Sequence, residues 1–380
     1  MSNFHYKVYT NINEINEIQW RDCFSSSCFT NYHFLSSLEL SGSVSVQTGW
    51  QPYHIAIFQK DKLVALLPGY VKSHSYGEYV FDWAWAEAYE RYQLDYYPKW
   101  ICAVPFTPVS ETRIGLKNTT DKAIYPFIKS LLNTLAEEHA WSGWHINFCL
   151  KDELQQLECA QVNARRGVQF SWHNRQYQSF SQYLDKLTAR KRKSIKKERN
   201  KASAQVDSIN VLQSDQITEQ IITQFYQFYC ATYLKRSGHH GYLKLNFFKL
   251  LLDKMQDNLV LTAAFKDHEM VAASLFVKGQ KSLFGRYWGA FEEFDSLHFE
   301  LCYYQGIEYC IEYQLDYFNA GAQGEHKILR GFEPEYTYSC HHIRNEMFQP
   351  AIANFLKHEW QQIADYKAQC DSLLPFNKLQ

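Results

Sequence analysis

Side chains able to do chemistry are concentrated in one glycine-rich stretch, residues 321–334. It brings together an acid, an imidazole, an amine and a guanidinium, on Glu325, His326, Lys327 and Arg330. Gly321, Gly324 and Gly331 allow the backbone to take φ > 0 and to approach a ligand closely. Because binding and catalytic groups concentrate in loops on a rigid scaffold, we predict a ligand-binding or catalytic loop here. The alternative is an ordinary glycine turn with solvated charges.

A second chemical feature is a basic run, residues 188–199, inside a helical pattern that extends over residues 179–202. Arg190, Lys193 and Lys197 are spaced i, i+3 and i+7, which places them on one helix face. Positive charge of this density attracts polyanions such as phosphates or RNA. The alternative is a solvated face balanced by nearby acids. No aromatic residue interrupts the run, so stacking on bases is not indicated.

The elements that position these groups can be predicted from hydrophobic periodicity. Residues 314–319, directly before the glycine-rich stretch, alternate in polarity as a half-buried strand does. Before them, the pattern predicts a hairpin of Leu259–Phe265 and Val271–Val277, a strand Leu283–Trp288 and a helix over residues 297–313. The remaining predicted elements of this half are a strand Gln169–His173, helices over residues 216–234 and 245–256, and a final helix from Gln349.

The first half of the chain repeats this mixture of helices and strands. Two strands, Trp50–Phe58 and Leu63–Val71, flank a Lys60–Asp61 turn and predict a hairpin. The predicted helices are Asn11–Trp20, Asn31–Leu40 and the amphipathic Asp121–Ala140, followed by a buried strand Trp144–Leu150. At 380 residues the chain suggests two domains, residues 1–165 and 166–380, with the basic helix 179–202 in the second.

Composition narrows the class of protein. A hydrophobic share of 46%, with 17% aromatic and 21% charged residues, is typical of a globular protein with a large core. No apolar run approaches the ~20 residues of a membrane-spanning helix, and the N-terminus lacks the layout of a signal peptide, so we expect a cytoplasmic location.

The 10 cysteines form no Cys-x-x-Cys pair and the pairs His239–His240 and His341–His342 diverge, so no metal site is predicted. A net charge of -1 argues against general nucleic-acid coating.

The basic run, the strand order and the late glycine loop together resemble the FemABX-like branch of the GNAT acyltransferase superfamily. The resemblance is closest to bacterial proteins described as predicted N-acyltransferases of peptidoglycan-biosynthesis type. Matching segments extend through most of the chain: residues 72–82, Tyr96–Lys99, Pro105–Pro108, Gly285–Gly289 and Leu297–Gln305.

The resemblance implies an α/β fold with mixed (α+β) sheets, in which two tandem GNAT-like halves pack together. It also implies an N-acyltransferase that moves an acyl or aminoacyl group to an amine acceptor without a covalent enzyme intermediate. The donor would be a phosphate-bearing co-substrate, aminoacyl-tRNA or acyl-CoA, with no permanently bound cofactor. In this family the basic segment is associated with the phosphate-bearing partner, which favours a binding role for Arg190, Lys193 and Lys197. Donor, acceptor and oligomeric state do not follow from the sequence.

Lys327 matches the family's loop lysine, which faces the acyl-donor pocket. It could stabilise an oxyanion, an effect worth ~3–4 kcal/mol, or bind a donor phosphate. This chain departs from the family pattern in its spacing to Gly331 and in having His326 where an aromatic residue is typical. Arg286 and Tyr287, on a predicted central strand, are candidates to line the same cavity. Alternatively, they are a paired arginine and a packed tyrosine.

The reaction also needs a base, because an amine with a pKa near 10.4 is neutral in only about one molecule in a few thousand at pH 7. The candidates are Glu325, His326, His298 and Glu300. His298 and Glu300 lie two residues apart on a predicted helix and diverge by roughly 200°, so one of them is structural. For His298 a hydrogen-bonded core histidine is the alternative.

Two absences refine this expectation. Residues 289–296 lack the glycine-rich pyrophosphate loop of acetyl-CoA-dependent GNAT enzymes and carry three acids, which disfavours a CoA donor. Cys302 lies among apolar residues of a predicted helix and is expected in the core rather than as a nucleophile. The rival hypothesis is a catalytically silent binding module that holds RNA or a phosphate-bearing ligand through the basic helix.

Overall fold

The computed structural model describes residues 4–117, 121, 123–158, 163–322 and 324–377. Gln323 of the glycine-rich stretch lies outside these residues. The chain forms two compact units: Met1–Gly167 with Tyr336–Asp365, and Val168–Glu335 with Tyr366–Gln380. Residues 336–365, which the sequence predicts to belong to the second domain, pack in the first unit.

The first unit contains two sheets. One has the strand order β1-β3-β4-β7, and the other includes the order β8-β6-β5-β2. Neighbouring strands run antiparallel except β6 and β8, which are parallel. The strands are β1 Phe4–Tyr9, β2 Trp50–Pro52, β3 His54–Gln59, β4 Lys62–Leu67, β5 Gly69–Lys72, β6 Lys99–Cys102, β7 Gly115–Leu116 and β8 Gly143–Cys149. The helices are α1 Glu17–Cys23, α2 Tyr32–Leu40, α3 Trp83–Arg91, α4 Ile124–Glu138 and α5 Lys151–Glu158, with 3₁₀ turns at Ile12–Glu14 and Val46–Thr48.

The hydrophobic patterns of this unit predicted its core correctly. The predicted hairpin is confirmed for β3 and β4, with Ile57 opposite Ala65, but each predicted strand is divided, and its outer piece, β2 or β5, belongs to the other sheet. The helix predicted over Asn11–Trp20 is instead a 3₁₀ turn, Ile12–Glu14, followed by α1. The amphipathic helix is confirmed as α4, whose Ile128, Leu132 and Leu135 are buried against the strands. Burial of this apolar face is the main stabilisation available to a surface helix.

The second unit is built on one mixed sheet. Its strand order is β10-β11-β12-β13-β14-β9, in which only β13 and β14 are parallel. The strands are β9 Asn163–His173, β10 Ser208–Gln213, β11 Leu259–Lys266, β12 Glu269–Lys278, β13 Ser282–Ala290 and β14 Tyr317–Asn319. The second predicted hairpin and the strand Leu283–Trp288 are thereby confirmed in a single mixed sheet. The predicted α/β class with mixed sheets holds in both units.

Helices cover this sheet, and three segments contribute residues to both units. The helices are α6 Phe180–Asp185, α7 Ala189–Ser203, α8 Glu219–Ser237, α9 Leu245–Met255, α10 Leu297–Phe299 and α11 Gln305–Glu312. Strands β9 and β15 Glu333–Ile343, and the last helix α12 Gln349–Ser372, each contribute residues to both units. Short 3₁₀ segments lie at Ser214–Gln216, Gln256–Asn258 and Glu346–Phe348. None of the described helices has a stretch long and apolar enough to cross a bilayer.

The prediction of one basic helix over residues 179–202 was wrong. The structure has two helices, α6 and α7, separated at Lys186–Thr188. The break arises because backbone groups there bond to the C-terminal segment: the Thr188 N–H donates to the Pro375 carbonyl at 2.8 Å and the Asn377 N–H to the Lys186 carbonyl at 2.9 Å. Because residues 375–377 are distant in sequence, the pattern around residues 186–188 does not indicate the break.

The helix predicted over residues 297–313 contains a wider turn. Glu300–Tyr304 forms a π-helical segment between α10 and α11. The strand predicted over residues 314–319 begins only at Tyr317, because the Leu315 N–H still bonds to the Cys310 carbonyl at 2.9 Å. π-helical turns occur frequently at functional sites, and this one faces the glycine-rich stretch.

Candidate active site

The glycine-rich stretch leaves β14 and ends in a 3₁₀ helix, Glu325–Arg330. Gly321, Gly324 and Gly331 have φ of 89°, 113° and 79°, so the predicted left-handed backbone is confirmed at all three. A Cβ on Gly324 would lie 2.3 Å from the His326 ring. A larger residue there would displace that imidazole.

Lys327 is the most unusual side chain in this loop. It is 0% exposed, and its Nζ donates a hydrogen bond to the Gly321 carbonyl. No carboxylate in the described part of the chain forms a salt bridge with it. Burial lowers the pKa of Lys327 to about 7. A buried amine without a counter-charge is costly, and such groups concentrate at functional sites.

Two imidazoles lie beside Lys327. His326 Nε2 shares a 2.8 Å hydrogen bond with the Tyr303 hydroxyl, and its pKa is lowered by burial and by Arg330 and Lys327. The rings of His298 and His326 are 6.3 Å apart. Burial and surrounding cations lower the pKa of His298 to about 3. Both imidazoles are thus held in the neutral form, but the large shift of His298 makes it a weak base, so His326 is the better proton acceptor of the two.

The two candidate acids are engaged elsewhere. Glu300 is buried, and its oxygens accept from Arg199 at 2.8 and 3.0 Å and from Gln305. Glu325 is exposed and accepts a 2.8 Å hydrogen bond from the Tyr366 hydroxyl. His298 and Glu300 point to different neighbours, as their predicted divergence requires. The structure therefore brings His298, His326 and Lys327 together but not Glu325 or Glu300.

Arg330 is held by partners within the chain. Its Nε donates to the Tyr304 hydroxyl at 2.9 Å, its Nη1 to the His326 carbonyl at 2.7 Å and its Nη2 to Glu198 at 2.8 Å. Its guanidinium carbon lies 3.6 Å from the centroid of the Phe299 ring. With its side chain 7% exposed, Arg330 fixes the backbone of the loop.

Three exposed cations of α7 form what we call the basic face: Arg190, Lys193 and Lys197. None of them has an ion pair or hydrogen bond within the described residues. Arg199, on the inner side of the same helix, instead pairs with Glu300 and Glu308. The helix is thus anchored by one face and free to meet a polyanion with the other.

The two strand candidates lie on β13, close to the start of the glycine-rich stretch: a Cβ on Gly321 would lie 3.5 Å from the carbonyl oxygen of Gly285, the residue directly before Arg286. Tyr287 is 7% exposed and packs edge-on against Tyr229 and Phe248, with ring centroids 5.8 and 5.4 Å away. Arg286 lies next to it, with its guanidinium carbon 5.5 Å from the Tyr287 ring centroid. Tyr287 belongs to an aromatic core, so a role in lining the Lys327 site stays a prediction.

Sequence reasoning missed several groups of this site. Tyr303 and Tyr304 reach it through the π-helical turn, and Arg236, near the end of α8, adds to the positive potential that lowers the pKa of His298. Glu198 was overlooked as well. It is the single acid among residues 188–199, and this isolated charge was the signal available.

A buried cluster of charges in the first unit involves the family-like segments 72–82 and 96–99. Lys99 Nζ donates to Ser75 at 2.8 Å, to Glu78 at 2.9 Å and to Asp82. Burial lowers the pKa of Lys72, 3.7 Å from the Trp50 ring centroid, to about 7. No group of three or more His, Cys, Asp or Glu side chains suited to a metal occurs among the described residues.

The chain matches one known protein family and resembles several solved structures. The model of the FemAB-like family, described as peptidoglycan biosynthesis/recognition, matches residues 11–378. A search of curated protein sequences found no match. The fold is similar to that of FemX, with a TM-score of 0.53 and 10% identity over 92% of this chain and 100% of that one.

Two further solved structures share this fold. L-PGS from Bacillus licheniformis gives a TM-score of 0.51 and 10% identity over 90% of this chain and 95% of that one. The C-terminal domain of a putative lysylphosphatidylglycerol synthetase from Agrobacterium fabrum gives 0.52 and 10% with the same coverage, 90% and 95%. At this identity the likeness establishes the fold alone: two GNAT-like halves.

Proposed function

The chain belongs to the FemAB-like family, and from this premise we propose that it is an N-acyltransferase that moves an acyl or aminoacyl group to an amine. The observation that carries the proposal is Lys327, a fully buried amine that has no acidic partner in the described part of the chain and is held beside two neutral imidazoles. A structural lysine is usually exposed or paired with an acid. Lys72 of the first unit is equally buried, but the nearby carboxylates of Glu78 and Asp82 favour its charged form, whereas none of the described carboxylates does so for Lys327.

In the proposed reaction the acceptor amine attacks the carbonyl carbon of the donor ester or thioester. The carbonyl oxygen then carries negative charge, which a protonated Lys327 can stabilise as a hydrogen-bond donor. The attacking nitrogen must lose one proton, and the departing oxygen or sulfur must gain one. His326 is the base we favour over Glu325, because its neutral imidazole lies next to Lys327 while Glu325 bonds to Tyr366.

The basic face supports a donor that bears phosphates. Arg190, Lys193 and Lys197 are exposed and have no ion pair with any residue that the structure describes, so a polyanion can bind them without breaking such a pair. Of the three acids that follow β13, Glu293 pairs with Lys235 and Asp295 with Lys201, so their repulsion of a pyrophosphate is reduced, but the segment has no glycine cradle to hold one. These features favour aminoacyl-tRNA over acyl-CoA.

A direct transfer without a covalent intermediate agrees with the chemistry of Cys302. Burial raises the pKa of this thiol to about 12, so it stays protonated at neutral pH and is a poor nucleophile. The rival binding module would have been supported by Lys327, Glu325 and His326 buried in mutual salt bridges with no cavity beside them. Lys327 has no such bridge among the described residues, which favours the enzyme.

The test is transfer of a labelled group. Purified protein would be incubated with bacterial tRNA charged with radiolabelled amino acids, or with labelled acetyl-CoA, and a mixture of primary amines including muropeptides. We expect label to pass from tRNA into a product stable to mild base, which cleaves the donor ester but not an amide. If neither donor yields such a product under any condition, the proposed activity is refuted.

A further inference from the structure

Helix α7 carries an acid, Glu198, besides the cations of its basic face. The basic face points outward, whereas Glu198 points inward with its side chain 24% exposed. Glu198 Oε2 accepts hydrogen bonds from Arg330 Nη2, at 2.8 Å, and from the Tyr304 hydroxyl. One carboxylate on the basic helix therefore holds both the π-helical turn and the 3₁₀ helix of the candidate active site.

Arg330 extends this connection to Lys327. Its Nη1 donates to the carbonyl of His326, the residue directly before Lys327. The Tyr183 hydroxyl donates to the Arg330 carbonyl at 2.6 Å and fixes the other end of the segment. The backbone that buries Lys327 is thus tied to α7 through the Glu198–Arg330 pair.

A polyanion on the basic face would act on this pair. The basic face and the Glu198–Arg330 pair influence the same side chain, Lys191. Its pKa is lowered mainly by burial and further by Arg190 and Arg330, whereas Glu198 raises it. Phosphates bound there would repel the Glu198 carboxylate and attract the Arg330 guanidinium. Both effects weaken the Glu198–Arg330 pair.

Lys327 must become accessible before it can meet a donor, because it is 0% exposed. We propose that Glu198 is a positioning residue whose pairing with Arg330 keeps Lys327 covered until a polyanion occupies the basic face. The device rests on the proposed function, since the polyanion would be the phosphate-bearing donor. It would prevent an empty site from exposing its reactive amine.

The test measures access to Lys327 by limited acetylation with acetic anhydride and mass spectrometry, with and without unacylated bacterial tRNA. In the wild type we expect tRNA to raise labelling of Lys327 by about fivefold or more, as expected when a ligand shifts a closed population to an open one. Lys72 is the internal control, because it is also 0% exposed with a pKa lowered to about 7 and lies in the first unit. Its labelling should not change.

Glu198→Ala and the milder Glu198→Gln remove the charge that holds Arg330. Both variants should label Lys327 rapidly without tRNA and gain less than about twofold on its addition, since the closed state is already lost. They keep the basic face and should still bind tRNA. Glu308→Gln is the matched control: it alters the Arg199 anchor of the same helix but not the contacts of Arg330, and should respond like the wild type.

The outcomes separate this inference from the proposed function. If tRNA binds and both Glu198 variants retain the wild-type increase in Lys327 labelling, the positioning role is refuted and the transferase proposal is untouched. If tRNA does not bind the wild-type protein, both the inference and the choice of donor are refuted. A rise in Lys72 labelling equal to that of Lys327 would indicate general unfolding and also count against the device.

Discussion

Lys327 and His326 are neighbours whose surroundings move both pKa values downward, with opposite consequences for catalysis. An imidazole acts as a base in its neutral form, which a lowered pKa extends to more acidic solution. An ammonium acts on an oxyanion in its charged form, which Lys327 loses as the pH rises through about 7. Catalysis therefore needs a pH at which His326 is neutral and Lys327 is charged, and this pH range is narrow.

We therefore predict a bell-shaped dependence of kcat on pH, with an alkaline limb near pH 7 set by Lys327. Lys327→Arg should move this limb to much higher pH, because arginine stays charged throughout. His326→Gln should abolish the acidic limb, which lies below the usual histidine pKa. The measurement is kcat against pH at saturating substrates. An alkaline limb that stays in place in Lys327→Arg would exclude Lys327 as its origin.

At the scale of elements, the basic face of α7 is predicted to determine binding of the phosphate-bearing donor. Replacing Arg190, Lys193 and Lys197 by glutamate should weaken tRNA binding and reduce the slope of log K against log salt by about 2–3, one unit for each lost phosphate contact. The control is the same charge change at Lys60, Lys62 and Lys151, which are exposed in the first unit. Equal salt slopes in the two triple variants would contradict the prediction.

The secondary-structure elements also show which features could be predicted from local sequence and which could not. Periodicity and the turn at Lys60–Asp61 predicted the hairpins and α4, because those elements are specified by their own apolar faces. The break before α7 was missed, since it depends on hydrogen bonds to residues 375–377. The loop could be selected from its glycines, but the burial of Lys327 could not, because it depends on packing of the π-helical turn beside it.

At the scale of the whole molecule, two of the buried lysines, Lys99 in the first unit and Lys327 in the second, differ in their balance of charge. Lys99 in the first unit donates to Asp82 and Glu78, whereas Lys327 in the second has no carboxylate partner among the described residues. Burial works to raise the pKa of Asp82, but Lys99 outweighs it and the net shift is downward. Lys99 therefore stabilises its surroundings, and Lys327 is retained at a cost.

These differences in charge pairing predict opposite effects of a lysine-to-methionine substitution on the free energy of unfolding. Lys99→Met leaves two buried carboxylates unpaired and should lower the unfolding free energy by about 3–5 kcal/mol. Lys327→Met should raise the unfolding free energy by about 2–4 kcal/mol at pH 7. Because the pKa of Lys327 is lowered to about 7, the folded state binds fewer protons than the unfolded chain between pH about 7 and 10. The native lysine therefore destabilises the fold increasingly as the pH falls through this range. Urea unfolding would measure both. A loss of stability in Lys327→Met would show that the amine is structural.

The most direct test of the transferase account is the rate of transfer by Lys327→Ala. Transfer of labelled amino acid from tRNA to amine would be followed for wild type and variant, with tRNA binding and thermal unfolding as controls for donor binding and folding. We predict that kcat falls by roughly two to three orders of magnitude while the variant stays folded and binds tRNA, because an oxyanion donor acts only in the transition state. A folded Lys327→Ala variant with wild-type kcat and KM would contradict the account.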